Sequence, residues 1–343
     1  MTWGAFRFAG HEIAPGEARE LRMEASELYT ADPLYVPATI VRGVRPGPTL
    51  FLTGAVHGDE LNGVAVIRDL LIEYDLSELA GTLIAVPVVN VPGFLNQSRT
   101  LPDGRDLNRS FPGQSEGSFT ARLAHRLYRE VISRSDYGID FHTAGGDRTN
   151  YPHLRADLTD PRVAELATAF GSPLVIHGRG PEGALRRAAA DASVPSVVYE
   201  AGSARVFQRR FIDAGLAGAL NVLRHLGMLD DGPPLPPSVR LEIRKTTWLR
   251  ANSGGILDLK VHLGDPVRRG QVISVNTNPF GRERNQLLSP AGGIAIGLTR
   301  SPLVHPGDAV CHLARLRARN VDRWRAYLQE EDEGRQPRPG PPR

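Results

Sequence analysis

Between residues 49 and 226 the apolar positions follow two alternating patterns. Short, nearly continuous apolar runs at 49–56, 82–89, 137–142, 173–177 and 195–199 predict strands buried on both faces. Between them, residues 61–74, 118–133, 162–170, 183–192 and 207–226 carry apolar residues at helical spacing. In 118–133 the stripe is Leu123, Leu127, Val131 and Ile132. Strand-helix alternation of this kind predicts an α/β fold, with helices on both faces of one largely parallel sheet. Ahead of it, residues 1–48 read as short strands and turns, broken repeatedly by Pro and Gly.

The pattern changes after a Pro-rich linker at 230–238. Short β-like runs at 239–243, 255–261, 271–275, 293–298 and 309–313 are separated by Gly, and no helical stripe accompanies them. The expected organisation is a first domain at 1–229 with its N-terminal β segment 1–48, the linker, and a small all-β domain at 239–315. A tail at 316–343 begins as a helix and ends in a Pro- and Arg-rich stretch expected to be disordered. A length of 343 residues agrees with two domains.

Three groups of polar residues fall at the ends of the predicted strands, where open α/β sheets bind ligands. His57 and Glu60 follow the first strand at a turn that leads into a helix. Three residues apart on a helical turn, an imidazole nitrogen and a carboxylate point the same way and can converge on one ion. His142 ends the strand at 137–142 and is the best third ligand, although a lone strand-end histidine ordinarily does no more than hydrogen-bond. Together His57, Glu60 and His142 make three ligands with a fourth position open, as in catalytic zinc sites. Glu200 follows the strand at 195–199 and is the candidate general base. Bound zinc brings the pKa of water toward ~7, within reach of a carboxylate base.

The long segment 91–117 has no periodicity, and loops of this length are usually functional or disordered. Its Arg105-Asp106-Leu107-Asn108-Arg109 centre argues against disorder. Arg109 with Asn108 offers a guanidinium fork and an amide donor to a carboxylate. Asp106 can accept a proton from a ligand histidine and fix its tautomer. Self-pairing of this loop's Arg and Asp residues is the competing reading.

Composition narrows the picture. Apolar content of 41% and charged content of 23% are those of a soluble globular protein. The net charge of +3 is small, and no Lys/Arg cluster with interleaved aromatics suggests a nucleic-acid partner. No apolar run approaches the ~20 residues that span a membrane. Residues 1–17 lack the basic and apolar regions of a signal peptide, so a cytoplasmic location is expected. The single cysteine, Cys311, has no partner in the chain for a disulfide.

Four blocks occur in order: His57-Gly58-Asp59-Glu60, Asp106-Leu107-Asn108-Arg109-Ser110-Phe111-Pro112-Gly113, Asp140-Phe141-His142-Thr143 and Glu200-Ala201-Gly202. In these the chain resembles the succinylglutamate desuccinylase/aspartoacylase family of the zinc carboxypeptidase superfamily, over about residues 34–227. The β domain at 239–315 looks like that family's C-terminal domain. The resemblance implies a carboxypeptidase-like mixed sheet between helices. It also implies one zinc per chain on His57, Glu60 and His142, with Glu200 as general base. Asn108 and Arg109 match the pair that grips a substrate carboxylate, and Asp106 matches a carboxylate behind the metal ligands. Arg99 is nearest to the arginine that polarises the scissile carbonyl, at a slightly different spacing from Asn108. One departure stands out: relatives of the aspartoacylase type place a C-terminal-domain tyrosine on the substrate, and residues 239–315 contain none. The β domain also resembles a lipoyl/biotinyl barrel sandwich, with 264–271 as a turn. Lys260 precedes that turn within a strand-like run, so a carrier role is not expected.

The expected function is therefore a zinc amidohydrolase that removes an acyl group from a small N-acyl amino acid or related carboxylate, zinc-bound water attacking the amide. A carboxypeptidase acting on short or cell-wall peptides is the alternative within the class. A non-catalytic binding protein that retained the fold is the alternative outside it. Neither nucleic acid nor membrane is an expected partner, and a homo-oligomer is compatible with the sequence. Residues 145–148 and 278–286 are further candidates to line the pocket.

Overall fold

The computed structural model describes residues 3–28, 30–230, 232, 239–281 and 284–334. The chain divides into two compact units, Met1–Pro236 and Pro237–Arg343. In the first, a hairpin of β1 (Phe6–Phe8) and β2 (His11–Ile13) precedes two long strands, β3 (Glu17–Glu27) and β4 (Pro33–Arg42). There follow β5 (Arg45–Thr53), α1 (Asn62–Glu73), β6 (Ala80–Val86), α2 (Val91–Leu95), α3 (Phe119–Glu130), β7 (Tyr137–Ala144) and β8 (Arg148–Ala156). The unit ends with α4 (Pro161–Phe170), β9 (Leu174–His177), α5 (Leu185–Asp191), β10 (Ser196–Ser203) and α6 (Arg209–His225).

Side-chain caps set several of the helix boundaries. Ser118 accepts from the Ala121 amide at the start of α3. Asp160 caps α4, with Pro161 in the first turn where a missing N–H costs nothing. α4 stops at Gly171, whose φ of 84° is left-handed.

The strands form one sheet in the order β3-β4-β6-β5-β7-β10-β8-β9. β6, β5, β7 and β10 are mutually parallel. β3 against β4, β4 against β6, and β10 against β8 are antiparallel. The sheet is thus mixed, as the family resemblance implies, and not largely parallel as strand-helix alternation alone suggests. Two elements make the difference. Besides the short hairpin β1-β2, residues 1–48 build two long strands that extend the sheet at one edge. β8 lies in a stretch for which the apolar pattern predicts nothing: Pro152 and the polar Asn150, His153 and Arg155 interrupt its apolar residues. The segment 91–117 also contains a short helix, α2, capped by Asn90.

Two cores cover the faces of the sheet. On one, α1, α4 and α6 pack against Leu50, Leu52, Ile139, Phe141, Leu154, Val197 and Tyr199. On the other, α3, α5 and the hairpin pack against Phe51, Ile84 and Val86. Since side chains alternate along a strand, Asp140 and His142 point away from the face of Ile139 and Phe141. Glu200 likewise points away from the face of Val197 and Tyr199.

The second unit contains β11 (Leu241–Ile243), β12 (Thr246–Arg250), β13 (Gly255–Leu259), β14 (Pro266–Val267), β15 (Val272–Thr277), β16 (Arg284–Leu288), β17 (Gly293–Thr299), β18 (Leu303–Val304), β19 (Ala309–Arg315) and α7 (Ala318–Gly334). Antiparallel pairing runs β12-β19-β17-β14 in one group and β16-β15-β13-β18 in the other. A small apolar core includes Leu249, Val267, Ile273, Val310 and Leu313. The turns 261–265 and 304–308 repeat one another: Val-His-Leu-Gly-Asp and Val-His-Pro-Gly-Asp. In each, the Asp carboxylate accepts the His amide at 2.7 Å, and the Gly has φ near 90°. Trp324 of α7 is fully buried and donates its indole N–H to Gly264 O at 2.8 Å. Lys260 directly follows β13, its amide on Ile273 O and its ammonium paired with Asp258. Most of the Pro-rich linker (231 and 233–238) and the end of the tail (335–343) lie outside the described residues.

A methyl group at Gly138 in β7 would lie 2.0 Å from the ring tip of Phe51 in β5. Phe51 is fully buried, so the ring has little room to move. Gly138→Ala is expected to lower stability by ~1–3 kcal/mol. Urea unfolding checks this; an unchanged midpoint would show that the ring can step aside.

Candidate active site

The sheet brings His57, Glu60 and His142 together. All three are buried, and a ligand atom from each lies within 4.8 Å of the others. His57 and Glu60 come from the turn between β5 and α1, where the Glu60 amide bonds His57 O. Gly58 in that turn passes so close to α2 that a Cβ would lie 1.9 Å from the Gly93 carbonyl carbon, a space open only to glycine. His142 comes from β7. His57 Nδ1 lies 2.8 Å from Glu60 Oε1, and His142 Nδ1 lies 2.8 Å from Glu60 Oε2.

The far nitrogens of both rings face carboxylates. His57 Nε2 is 3.1 Å from Asp106 Oδ1, and His142 Nε2 is 2.8 Å from Asp140 Oδ2. Asp140 is itself held by the Thr53 hydroxyl at 2.8 Å, from the residue directly opposite it on β5. Arg99 Nη1 lies 3.3 Å from His57 Nδ1. Each ring is thus oriented by an acceptor behind it and turns Nδ1 toward Glu60, as metal-binding histidines do. The donor set of two imidazole nitrogens and a carboxylate oxygen fits a divalent ion such as zinc.

Burial and charge act against each other at these groups. Burial alone would lower the pKa of both histidines, but Glu60 and Asp106 raise His57 above its ordinary value. Asp140 and Glu60 raise His142 well above it. Burial would raise Glu60 and Asp106. The histidines outweigh it at Glu60, and His57 with Arg99 outweigh it at Asp106, so both carboxyls fall well below their usual range.

Glu200 is next to this cluster. Its β10 position is in parallel register with His142 on β7 and opposite His153 on β8. The strand continues past it to Ser203, so Glu200 lies inside β10 and not after its end. Arg155 Nε donates to its Oε1 at 3.0 Å and Asn150 Nδ2 to its Oε2 at 2.9 Å. Burial pushes the Glu200 carboxyl up, while Arg155 and His142 pull it down further, so the group is ionised at neutral pH. Burial holds His153, directly opposite, down at about 4 and therefore neutral.

Arg99 reaches the open side of the cluster. It forks onto Asp106 Oδ2 through Nε (3.2 Å) and Nη2 (2.9 Å) and extends Nη1 toward Glu60 Oε1 at 3.4 Å. Gly145 lies against the same spot, where a Cβ would be 3.0 Å from Arg99 Nη1. This locates Gly145, the first residue of the segment 145–148, at the cluster. The segment 278–286 belongs to the second unit, and residues 282 and 283 lie outside the described residues.

Asn108 and Arg109 do not touch the His-Glu-His cluster but are tied to it. Asp106 Oδ1, which faces His57, also accepts the Asn108 amide at 2.8 Å. Asn108 Oδ1 accepts the Leu185 amide at the start of α5, leaving its NH2 group to donate elsewhere. Arg109 is exposed, with Nη1 on Asn108 O at 2.6 Å. Close by in sequence to that contact, Arg186 of α5 is buried and donates to Gly178 O. Burial and the like charge of Arg155 bring its pKa down to about 10, still cationic at neutral pH.

Sequence reasoning gave no role to Asp140, Asn150, Arg155 or Arg186. For Asp140 a signal existed: two residues before His142 on a strand, it shares His142's face. For Asn150 and Arg155 none existed, because the pairing of β8 with β10 is not written in either segment.

The model of the succinylglutamate desuccinylase/aspartoacylase catalytic domain matches residues 46–226. An N-alpha-acetyl-L-2,4-diaminobutyric acid deacetylase from Halomonas elongata is 31% identical over 250 residues, 70% of this chain and 73% of the relative. A succinylglutamate desuccinylase/aspartoacylase from Rhodobacter sphaeroides superposes with a TM-score of 0.78 at 27% identity, covering 86% of this chain and 95% of that one. The product-bound ectoine utilization protein EutE (DoeB) from Ruegeria pomeroyi gives 0.80 at 25% identity, covering 87% and 95%.

The raised histidine pKa values have a stability consequence in chelator-treated protein. A group whose folded pKa is raised stabilises the fold fully below its unfolded pKa, ~6.5 for histidine, and the effect is lost as pH rises through the folded value. The unfolding free energy of wild type minus that of His142→Asn is therefore expected to shrink as pH rises above ~6.5. Denaturant unfolding in chelator across that range checks it; a difference that grows with pH would show that the rings are neutral in the folded state.

Proposed function

The chain belongs to the succinylglutamate desuccinylase/aspartoacylase family, and on that premise we propose that it is a zinc-dependent amidohydrolase that removes a short acyl group from the amine of a small amino acid. The observation that carries this reading is the buried His57-Glu60-His142 cluster, with a carboxylate behind each ring and the ionised Glu200 in the adjacent register position. The activity named for the Halomonas relative makes an acetylated diamino acid the first substrate to try.

Zinc on His57, Glu60 and His142 would supply Lewis acidity toward the amide carbonyl and toward water. Glu200 takes the proton from the attacking water and returns it to the departing nitrogen, a role for which an ionised carboxylate is the required starting state. Arg99 stands on the open side of the cluster, where it donates to the carbonyl oxygen as negative charge builds there. The Asn108 NH2 group and Arg109 hold the substrate carboxylate, and Arg186 adds a fixed positive charge near them. Asp106 and Asp140 keep the rings of His57 and His142 turned inward. No helix among the described residues is long and apolar enough to cross a membrane.

Elemental analysis of protein purified without chelator is expected to find about one zinc per chain, lost in His57→Ala. Glu200→Gln should keep the metal and lower kcat on an N-acetyl diamino acid by roughly 10²–10⁴-fold. Absence of zinc after its addition, or a Glu200→Gln enzyme within a few-fold of wild type, would refute the mechanism. Turnover of short peptides in place of N-acyl amino acids would move the reading to a carboxypeptidase.

A further inference from the structure

β8 loses register with β10 next to Glu200. Glu200 pairs with His153, but Gly202 pairs with Asn150: two steps along β10 match three along β8. The extra residue is a bulge at 151–152. Without it, Asn150 would share the face of Leu154 and Ala156 and point into the apolar core formed with α4 and α6. The bulge turns it to the face of His153 and Arg155, where its amide reaches Glu200.

The result is a clamp on both carboxylate oxygens from one strand. Arg155 holds Oε1 and Asn150 holds Oε2. A carboxylate gripped at one oxygen can still turn about its last bond, whereas one gripped at both cannot. Each oxygen keeps a second lone pair, so the clamp fixes where the remaining acceptor sites point without filling them. Asn150 is buried, and its bond to Glu200 supplies a partner that burial would otherwise deny its amide.

We propose that Asn150 and Arg155 are positioning residues that fix the orientation of Glu200 for proton transfer; this rests on the reading of Glu200 as the base. The β8 bulge is the backbone feature that makes the clamp two-handed. Removing either donor leaves the carboxylate free to rotate, and misplacement by about 1 Å in such a site costs on the order of 10²-fold.

The test is a double-mutant cycle on the zinc-loaded enzyme with an N-acetyl amino acid. Asn150→Ala and Arg155→Met are each expected to lower kcat roughly 10- to 100-fold, with KM and zinc content within about threefold of wild type. Arg155→Lys, which keeps one charged donor, is expected to recover most of the loss. In a Glu200→Gln background the same two changes should cost less than about twofold, because a residue that acts only through Glu200 has nothing left to position. Thermal unfolding of each variant identifies any that lose the fold, and for those the Arg155→Lys and Glu200→Gln comparisons decide. Two single variants within about threefold of wild type, or a full further loss in the Glu200→Gln background, would overturn the proposal while leaving the base assignment standing. A fully active Glu200→Gln enzyme would overturn the base assignment, and the clamp with it.

Discussion

The constraint on which this site depends is the cost of holding the Glu60 carboxylate out of water. Glu60 is 1% exposed, and an unpaired carboxylate at such a depth would cost several kcal/mol. Each of its oxygens faces an imidazole nitrogen, and the Thr143 amide adds a third contact at 3.0 Å. Those rings are pinned in turn by Asp106 and Asp140, and these carboxylates by Arg99 and Thr53. Charge alternates outward from the centre. The arrangement is stable only if each shell is present, so a turn, a loop and two strands that are distant in sequence must meet at one place.

The sheet makes that meeting cheap. On β7, β10 and β8 the residues His142, Glu200 and His153 fall in one row across the ladder. Two residues along the same strands, Asp140 and Arg155 fall in the next row, on either side of Val198. All point to the side opposite the core formed with α1, α4 and α6. Apolar residues at alternate positions anchor the strands on that core, so the polar row needs no support of its own. Chemistry and packing share the same strands because they use opposite parities of one two-residue period.

What could be read in the sequence follows the range of the interactions involved. His57 and Glu60 share a turn, and Asp106, Asn108 and Arg109 share another; such groups show as short motifs. The buried central strands announce themselves by unbroken apolar runs. The α/β class was therefore legible, and so were the cluster residues once the ordered motifs were read together, although His142 and Glu200 lie inside β7 and β10 and not at their ends as expected. Strand direction was not. Alternation alone gives a parallel sheet, and the antiparallel course of β8 depends on a partner some fifty residues away. Its apolar content is low because its other face is occupied by Asn150, His153 and Arg155, so the feature that gives β8 its function also hides it from pattern reading.

The same reasoning explains why the proposed substrate-binding pair is looser than the His-Glu-His cluster. Asn108 and Arg109 are fixed through backbone contacts to Asp106 and α5, while the Arg109 side chain is exposed and folds back on its own neighbour's carbonyl. A guanidinium in water loses side-chain entropy when it closes on a carboxylate, and that loss is offset only by a ligand of the right charge. Glu200 has no such freedom, being held at both oxygens before any substrate arrives. On the proposed reading, rigidity is concentrated on the group to be oriented for proton transfer, while the pair proposed to hold the substrate keeps the freedom to respond to it.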